Sequence, residues 1–158
     1  MWWRRSQIEH SGISKDSIKE LEGIIGHKFG DKALLIEALS HPSRNAEGQF
    51  PTYERLAWVG DAFLYHTISI HLYEVEPNAS TSRLHELREN YKKNLDLAKM
   101  DAEGLRISRF LITGKSREGQ ENSSGMIATM VEAVIGAISI ENPKRAKKFI
   151  IDNIIKNK

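Results

Sequence analysis

Two carboxylates sit where carboxylates are costly. Asp61 interrupts the apolar run Leu56-Ala57-Trp58-Val59-Gly60-Asp61-Ala62-Phe63-Leu64, and Glu132 interrupts Met130-Val131-Glu132-Ala133-Val134-Ile135. A buried carboxylate must be paired with a cation, bound to a metal or protonated. One reading is structural, with a nearby Arg or Lys neutralising each acid. The other is chemical. If the helices that carry Asp61 and Glu132 cross at these positions, the two acids form a small cluster whose hard oxygen ligands suit Mg²⁺ or Mn²⁺. Glu54 precedes Asp61 by seven residues, which places it on the same helical face about two turns away. Gly60, beside Asp61, leaves room for a second helix to approach closely. Nothing local shows that the two helices meet.

The elements that must position these acids read as helices throughout. Ser17-Ile18-Lys19-Glu20 has the form of a capping box, Ile18, Leu21 and Ile25 follow at helical spacing, and Gly26 stops the run. Asp31 can cap a second helix carrying Leu34, Leu35, Ala38 and Leu39, which Pro42 ends. Residues 43–52 read as a loop. A long helix is predicted from about Tyr53 to Glu74, apolar on most of its circumference and therefore buried on several sides. The next, from about Ser82, puts Leu84, Leu87, Tyr91, Leu95 and Ala98 on one stripe, with a break near Asn94. Gly114–Gly125 reads as an exposed loop, 126–140 as a second strongly apolar helix, and Asn142-Pro143 as the cap and first turn of the last, which carries Ala146, Phe149, Ile150 and Ile154. No segment alternates with a period of two, so the expected fold class is all-α. Residues 1–13 are polar and irregular and are expected to form a loose tail, leaving one domain over 14–158.

Composition bounds what the domain can do. With 158 residues and 40% hydrophobic content, the chain can bury one real core. It has no cysteine, which excludes disulfides, thiolate metal sites and cysteine nucleophiles. No secretory h-region opens the sequence, and no apolar run looks long enough to span a membrane, so an intracellular protein without a membrane role is expected. The net charge is only +2, but Lys and Arg gather at 83–93, 106–117 and 144–158. Each cluster alone reads as a solvated face; together on one face they would suit phosphate.

Four stretches, in order, resemble the ribonuclease III family. Tyr53-Glu54-Arg55-Leu56-Ala57-Trp58-Val59-Gly60-Asp61-Ala62-Phe63-Leu64 is similar to the family signature N-E-R-L-E-F-L-G-D-A-V-L. Leu34-Leu35-Ile36-Glu37-Ala38-Leu39-Ser40-His41-Pro42-Ser43 resembles the upstream L-L-x-x-A-L-T-H-x-S. Ser82-Arg83-Leu84 through Asn94-Leu95-Asp96-Leu97-Ala98 resembles S-R-L-R…T-L-A-E-L-A, and Ala128-Thr129-Met130-Val131-Glu132-Ala133-Val134-Ile135-Gly136-Ala137 resembles A-D-x-x-E-A-L-I-G-A. The resemblance implies an all-helical endonuclease domain, usually a homodimer, that cuts double-stranded RNA with Mg²⁺ held by four carboxylates.

This chain departs from that pattern at decisive points. The signature's second Glu is Ala57 and the Asp of the later motif is Thr129, so Asp61 and Glu132 remain of the four; an auxiliary acid falls at Asn78, and the leading Asn is Tyr53. Glu54 keeps the signature's first Glu. The resemblance therefore implies Asp61, Glu132 and Glu54 as the residual catalytic set, with Asp61 and Glu132 binding Mg²⁺ or Mn²⁺ weakly or not at all. Arg83, Arg88, Lys92, Lys93, Lys115 and Arg117 are the candidate RNA contacts, and Trp58 and Phe63 the candidate dimer seam. No double-stranded-RNA-binding domain is recognisable in the sequence. The leading expectation is a catalytically impaired member acting on double-stranded or structured RNA, in RNA processing or a ribonucleoprotein. A working endoribonuclease, alone or completed by an intact partner subunit in a heterodimer, is the second. A helical protein-interaction module without an RNA role is the third.

Overall fold

Short polar side chains start most of the helices. In the computed structural model, which describes residues 8–157 apart from the side chains of Asn94 and Leu95, Ser14 accepts from the Ser17 amide to open α1 (Lys15–Ile25). Asp31 caps α2 (Lys32–Leu39) through the Ala33 amide. The long α3 (Glu54–Val75) has no side-chain cap; α4 (Thr81–Tyr91) is capped by Ser80 and is followed by α5 (Asn94–Met100). Ser123 opens α6 (Ser124–Glu141), and Asn142 opens α7 (Pro143–Ile150) with proline in its first turn. These hydroxyl, carboxylate and amide oxygens satisfy amides that the helix itself leaves unpaired. The fold is all-α, and among the described residues the only strand-like feature is a single parallel bridge between Ser40 and Ile112.

The core is built around α6. Its Ala128, Met130, Val131, Ala133, Val134, Ile135, Ala137 and Ile138 are fully buried, and α3, α5, α7 and α2 pack around it. By length and composition α6 is long and apolar enough to cross a membrane, against the expectation from sequence; 56% of that window is buried inside the domain. From Ala128 to Ser139 its apolar circumference is thus covered largely by neighbouring helices, while Ile140 at its end stays exposed.

Several expectations shift. The first cap is Ser14 rather than Ser17, because the helix starts at Lys15 and not at Ile18. Residues 43–52 contain a 3₁₀ turn over Pro42–Ala46, whose Arg44 is buried and donates to the Ser40 hydroxyl (2.8 Å) and the His10 carbonyl (3.1 Å). The bond to His10 ties residues 8–13, placed by sequence in the loose tail, to the domain: Ile8 packs on the core and Ser11 is buried. Residues 1–7 of that expected tail lie outside the described residues. The Gly114–Gly125 loop begins buried, with the Gly114 amide donating to Ser43 Oγ (2.8 Å), and contains a 3₁₀ turn over Lys115–Arg117. The break near Asn94 is present, α4 ending at Tyr91 and α5 starting at Asn94; Leu95, on the predicted stripe, has no described side chain.

Candidate functional site

α3 and α6 meet backbone to backbone. A Cβ at Gly60 would lie 1.7 Å from the Glu132 carbonyl oxygen, and one at Gly136 would lie 2.1 Å from the Leu56 carbonyl oxygen. Neither position tolerates any side chain, so the two glycines set the separation of the helices. The crossing that local sequence left open therefore falls beside the two interior acids. It brings Asp61 and Glu132 into electrostatic contact: burial and the Asp61 charge push the Glu132 carboxyl up to about 7, with Lys92 pulling the other way.

Asp61 is paired with a cation, as the structural reading of the sequence allowed. The Lys92 ammonium lies 2.5 Å from Asp61 Oδ1, with 14% of the lysine side chain and 45% of the aspartate exposed. The same ammonium sits 3.7 Å from the Tyr65 ring centroid, and the Arg88 guanidinium lies 4.0 Å from that ring. Arg88 Nη1 donates to Ser69 Oγ (2.9 Å), and the Tyr65 hydroxyl donates to Glu89.

The remaining candidates are placed elsewhere. Glu54 stands exposed at the start of α3, where Thr52 Oγ1 donates to it (3.4 Å) and its charge acts on His41 and Tyr53. Burial and Arg117 hold the His41 imidazole below its ordinary pKa, while burial and Glu54 raise that of Tyr53. Ala57 is buried in the core cluster, and the Thr129 hydroxyl donates to the Gly125 carbonyl one turn back (2.8 Å). Asn78 is exposed in the turn after α3. Among the described residues no group of three or more His, Asp or Glu side chains is arranged to hold a metal. Two carboxylates, one of them already carrying an ammonium, do not fit the two-metal arrangement of a four-carboxylate site.

Of the candidate phosphate contacts, Arg88 and Lys92 turn inward onto Tyr65. Arg83 is about half-exposed and pairs with Glu86 (2.8 Å); Lys93 and Lys115 are exposed, and Arg117 Nη2 donates to the Glu121 carbonyl (3.2 Å). Trp58 is 79% exposed, whereas Phe63 is half-buried against the core. Sequence reasoning missed the Tyr65–Arg88–Lys92 cluster. Its signal was available: Asp61, Tyr65 and Ser69 recur every four residues on α3, and Arg88 and Lys92 are four apart on the segment that faces them.

Residues 31–158 match the family model described as Ribonuclease-III-like. Ribonuclease 3 of Francisella tularensis subsp. novicida (strain U112) is 33% identical over 128 residues, covering 81% of this chain and 54% of that protein. The same values hold for Ribonuclease 3 of subsp. holarctica (strain LVS). The chain thus spans about half the length of the curated relatives it matches. Two structures of the nuclease domain of ribonuclease III from Campylobacter jejuni superpose with TM-scores of 0.81 and 0.79 at 29% identity. They cover 89% of this chain and 97% and 95% of their own. With the family model, the curated relatives and the superposed nuclease-domain structures in agreement, this chain belongs to the ribonuclease-III-like family.

Proposed function

We propose that this domain binds double-stranded or structured RNA within an RNA-processing assembly or ribonucleoprotein and does not cut it by the metal-dependent route. The observation that carries this reading is the carboxylate inventory at the α3–α6 crossing, where Asp61 and Glu132 stand without partners at Ala57 and Thr129. Too few ligands remain to fix two divalent ions in line with a scissile phosphate. Arg83, Lys93, Lys115 and Arg117 supply the phosphate contacts; Arg88 and Lys92 organise the α3–α4 face behind them.

Duplex RNA incubated with the pure chain, with and without Mn²⁺, tests both halves. The expected result is retention without cleavage, with affinity falling by about 0.7–0.9 log units per log of salt for each phosphate contacted. Little sequence preference is expected, since A-form RNA is read mostly by shape. Robust Mg²⁺-dependent cutting abolished by Asp61→Asn would overturn the impaired reading. Binding indifferent to salt would favour a protein-interaction module.

A second reading is favoured by one observation. α3 leaves Trp58, Ile70, Tyr73 and Val75 exposed, more apolar surface than the domain covers by itself. One of the Campylobacter jejuni structures concerns flexibility in the region involved in dimer formation of that protein. A second copy, or a related subunit with an intact carboxylate set, would cover this face, and in the latter case the assembly could cut RNA at the partner's site.

A further inference from the structure

Lys92 stands where the chain leaves α4 (φ −102°, ψ 0°), and its side chain folds back over α3 until 14% remains exposed. Two contacts and one charge interaction define the ammonium's place. Asp61 Oδ1 is 2.5 Å away, the Tyr65 ring centroid is 3.7 Å away, and the charge is felt by Glu132. Tyr65 follows Asp61 by one turn, so the carboxylate and the ring face form one continuous negative surface for a cation. The ring is itself fixed, by the Arg88 guanidinium at 4.0 Å and by the bond from its hydroxyl to Glu89. Arg88 is anchored in turn by its bond to Ser69 Oγ, one turn further along α3. A long lysine side chain ordinarily keeps its head in water. This one is directed inward by a carboxylate, an aromatic face and a neighbouring arginine that shares the ring.

We propose that the Lys92 ammonium is the resident cation of the Asp61–Glu132 site, and that the native chain therefore takes up no divalent cation there. An ammonium and a divalent ion compete for the same carboxylate oxygens, because each must lie within bonding distance of Asp61 Oδ1. Binding both would set like charges side by side in a partly desolvated pocket, where their repulsion is poorly screened. Two carboxylates beside one ammonium also leave at most a single net negative charge to hold a hard dication that gives up its water reluctantly. Loss of ligands at Ala57 and Thr129 would weaken a metal site; the lysine closes it. The inference rests on the carboxylate inventory used above and not on RNA binding, so the two can fail separately.

Mn²⁺ titration of the full chain, followed by the electron paramagnetic resonance signal of the free ion, tests it without RNA. The native chain and Lys92→Arg are expected to leave the signal undiminished up to about 1 mM Mn²⁺, and native melting temperatures to agree in Mn²⁺ and in EDTA. Lys92→Met, with Lys92→Gln as a second variant should the first not fold, is expected to bind Mn²⁺ at least about tenfold more tightly than native. That gain should vanish when Asp61→Asn is added. Asp61-dependent Mn²⁺ binding by the native chain with Kd below about 100 μM would overturn the proposal, and that arm decides the matter even if neither variant folds. A folded Lys92→Met that binds no better than native would overturn it equally.

Discussion

α3 and α6 look alike as sequence and behave differently as structure. Each is long, apolar on most sides and interrupted by one acid away from its ends. α6 is covered by its own domain along most of its length, with ten residues buried from Ala128 to Ser139 and only Ile140, at its end, strongly exposed among its large apolar side chains. α3 buries Leu56, Ala57, Gly60, Leu64, Thr67, Ile68 and Leu72 on one side and leaves Trp58 and Tyr73 more than three-quarters exposed on another. Apolar circumference therefore has two causes: a helix can be enclosed by its own chain, or it can lack part of its cover. The acids differ too. Glu132, on the enclosed helix, is pushed toward neutrality, whereas Asp61, nearer solvent, carries an ion pair.

The sharpest way to break this comparison is at the crossing. Gly136→Val would drive a side chain into the Leu56 carbonyl, 2.1 Å from the ideal Cβ position, and no flexible group is there to yield. A loss of roughly 3–5 kcal/mol is expected, enough to lower the melting temperature by about 6–20 °C in a domain of this size. A melting temperature within a few degrees of native would show that the helices can part without penalty.

A smaller effect distinguishes the two acids. Because the folded Glu132 carboxyl sits at about 7 rather than its ordinary 4.5, the folded state binds a proton that the unfolded state has released between those pH values. Stability should then be greatest below about pH 4.5 as far as this group is concerned, decline toward pH 7, and level off above it. Glu132→Gln removes the penalty. It should stabilise the protein at pH 8 by roughly 1–2 kcal/mol, after allowance for partial solvent exposure, and the advantage should shrink to nothing near pH 4.5. Denaturant melts at the two pH values would show it; equal differences at both would mean that Glu132 is ionised without cost.

The smallest effect on stability should come from the uncovered side of α3. Trp58→Ser with Tyr73→Ser is expected to change the unfolding free energy of an isolated domain by no more than about 0.5 kcal/mol for each site. If this face is covered by a partner copy, sedimentation should register the change instead, as loss of a dimer at tens of micromolar (roughly the range of a weak self-association). A large drop in stability at concentrations where the native chain is monomeric would mean that the two side chains belong to the core after all.

What sequence conveyed and what it withheld follow from range. Caps, breakers and helical periodicity are local, so Asp31, Asn142 and Pro143 announced their helices, and the apolar runs announced α3 and α6. Ser14 was passed over because only Ser17 has a glutamate three residues on, whereas the helix is capped by the simpler bond from the Ser17 amide to the Ser14 hydroxyl. Asp61 and Glu132 stood out because a charge in an apolar run is locally improbable, but their meeting depends on two glycines 76 residues apart in sequence. Lys92 was grouped with outward-facing cations since a basic residue near a helix end ordinarily faces water. Its true partner lies across an interhelical turn, and only the return of α4 along α3 reveals it. Arg44 was not singled out at all: a loop arginine gives no local sign that a neighbouring segment will bury it.

The glycine contact has one more consequence. The spacing of α3 and α6 is set by backbone meeting backbone, not by the side chains that line the crevice between them. Positions 57 and 129 can therefore hold alanine and threonine, or acids, while the frame around them keeps its dimensions. Chemistry and helix spacing are decoupled in this scaffold: an acid at the crossing alters stability, as Glu132 does, while the two glycines keep the separation of the helices.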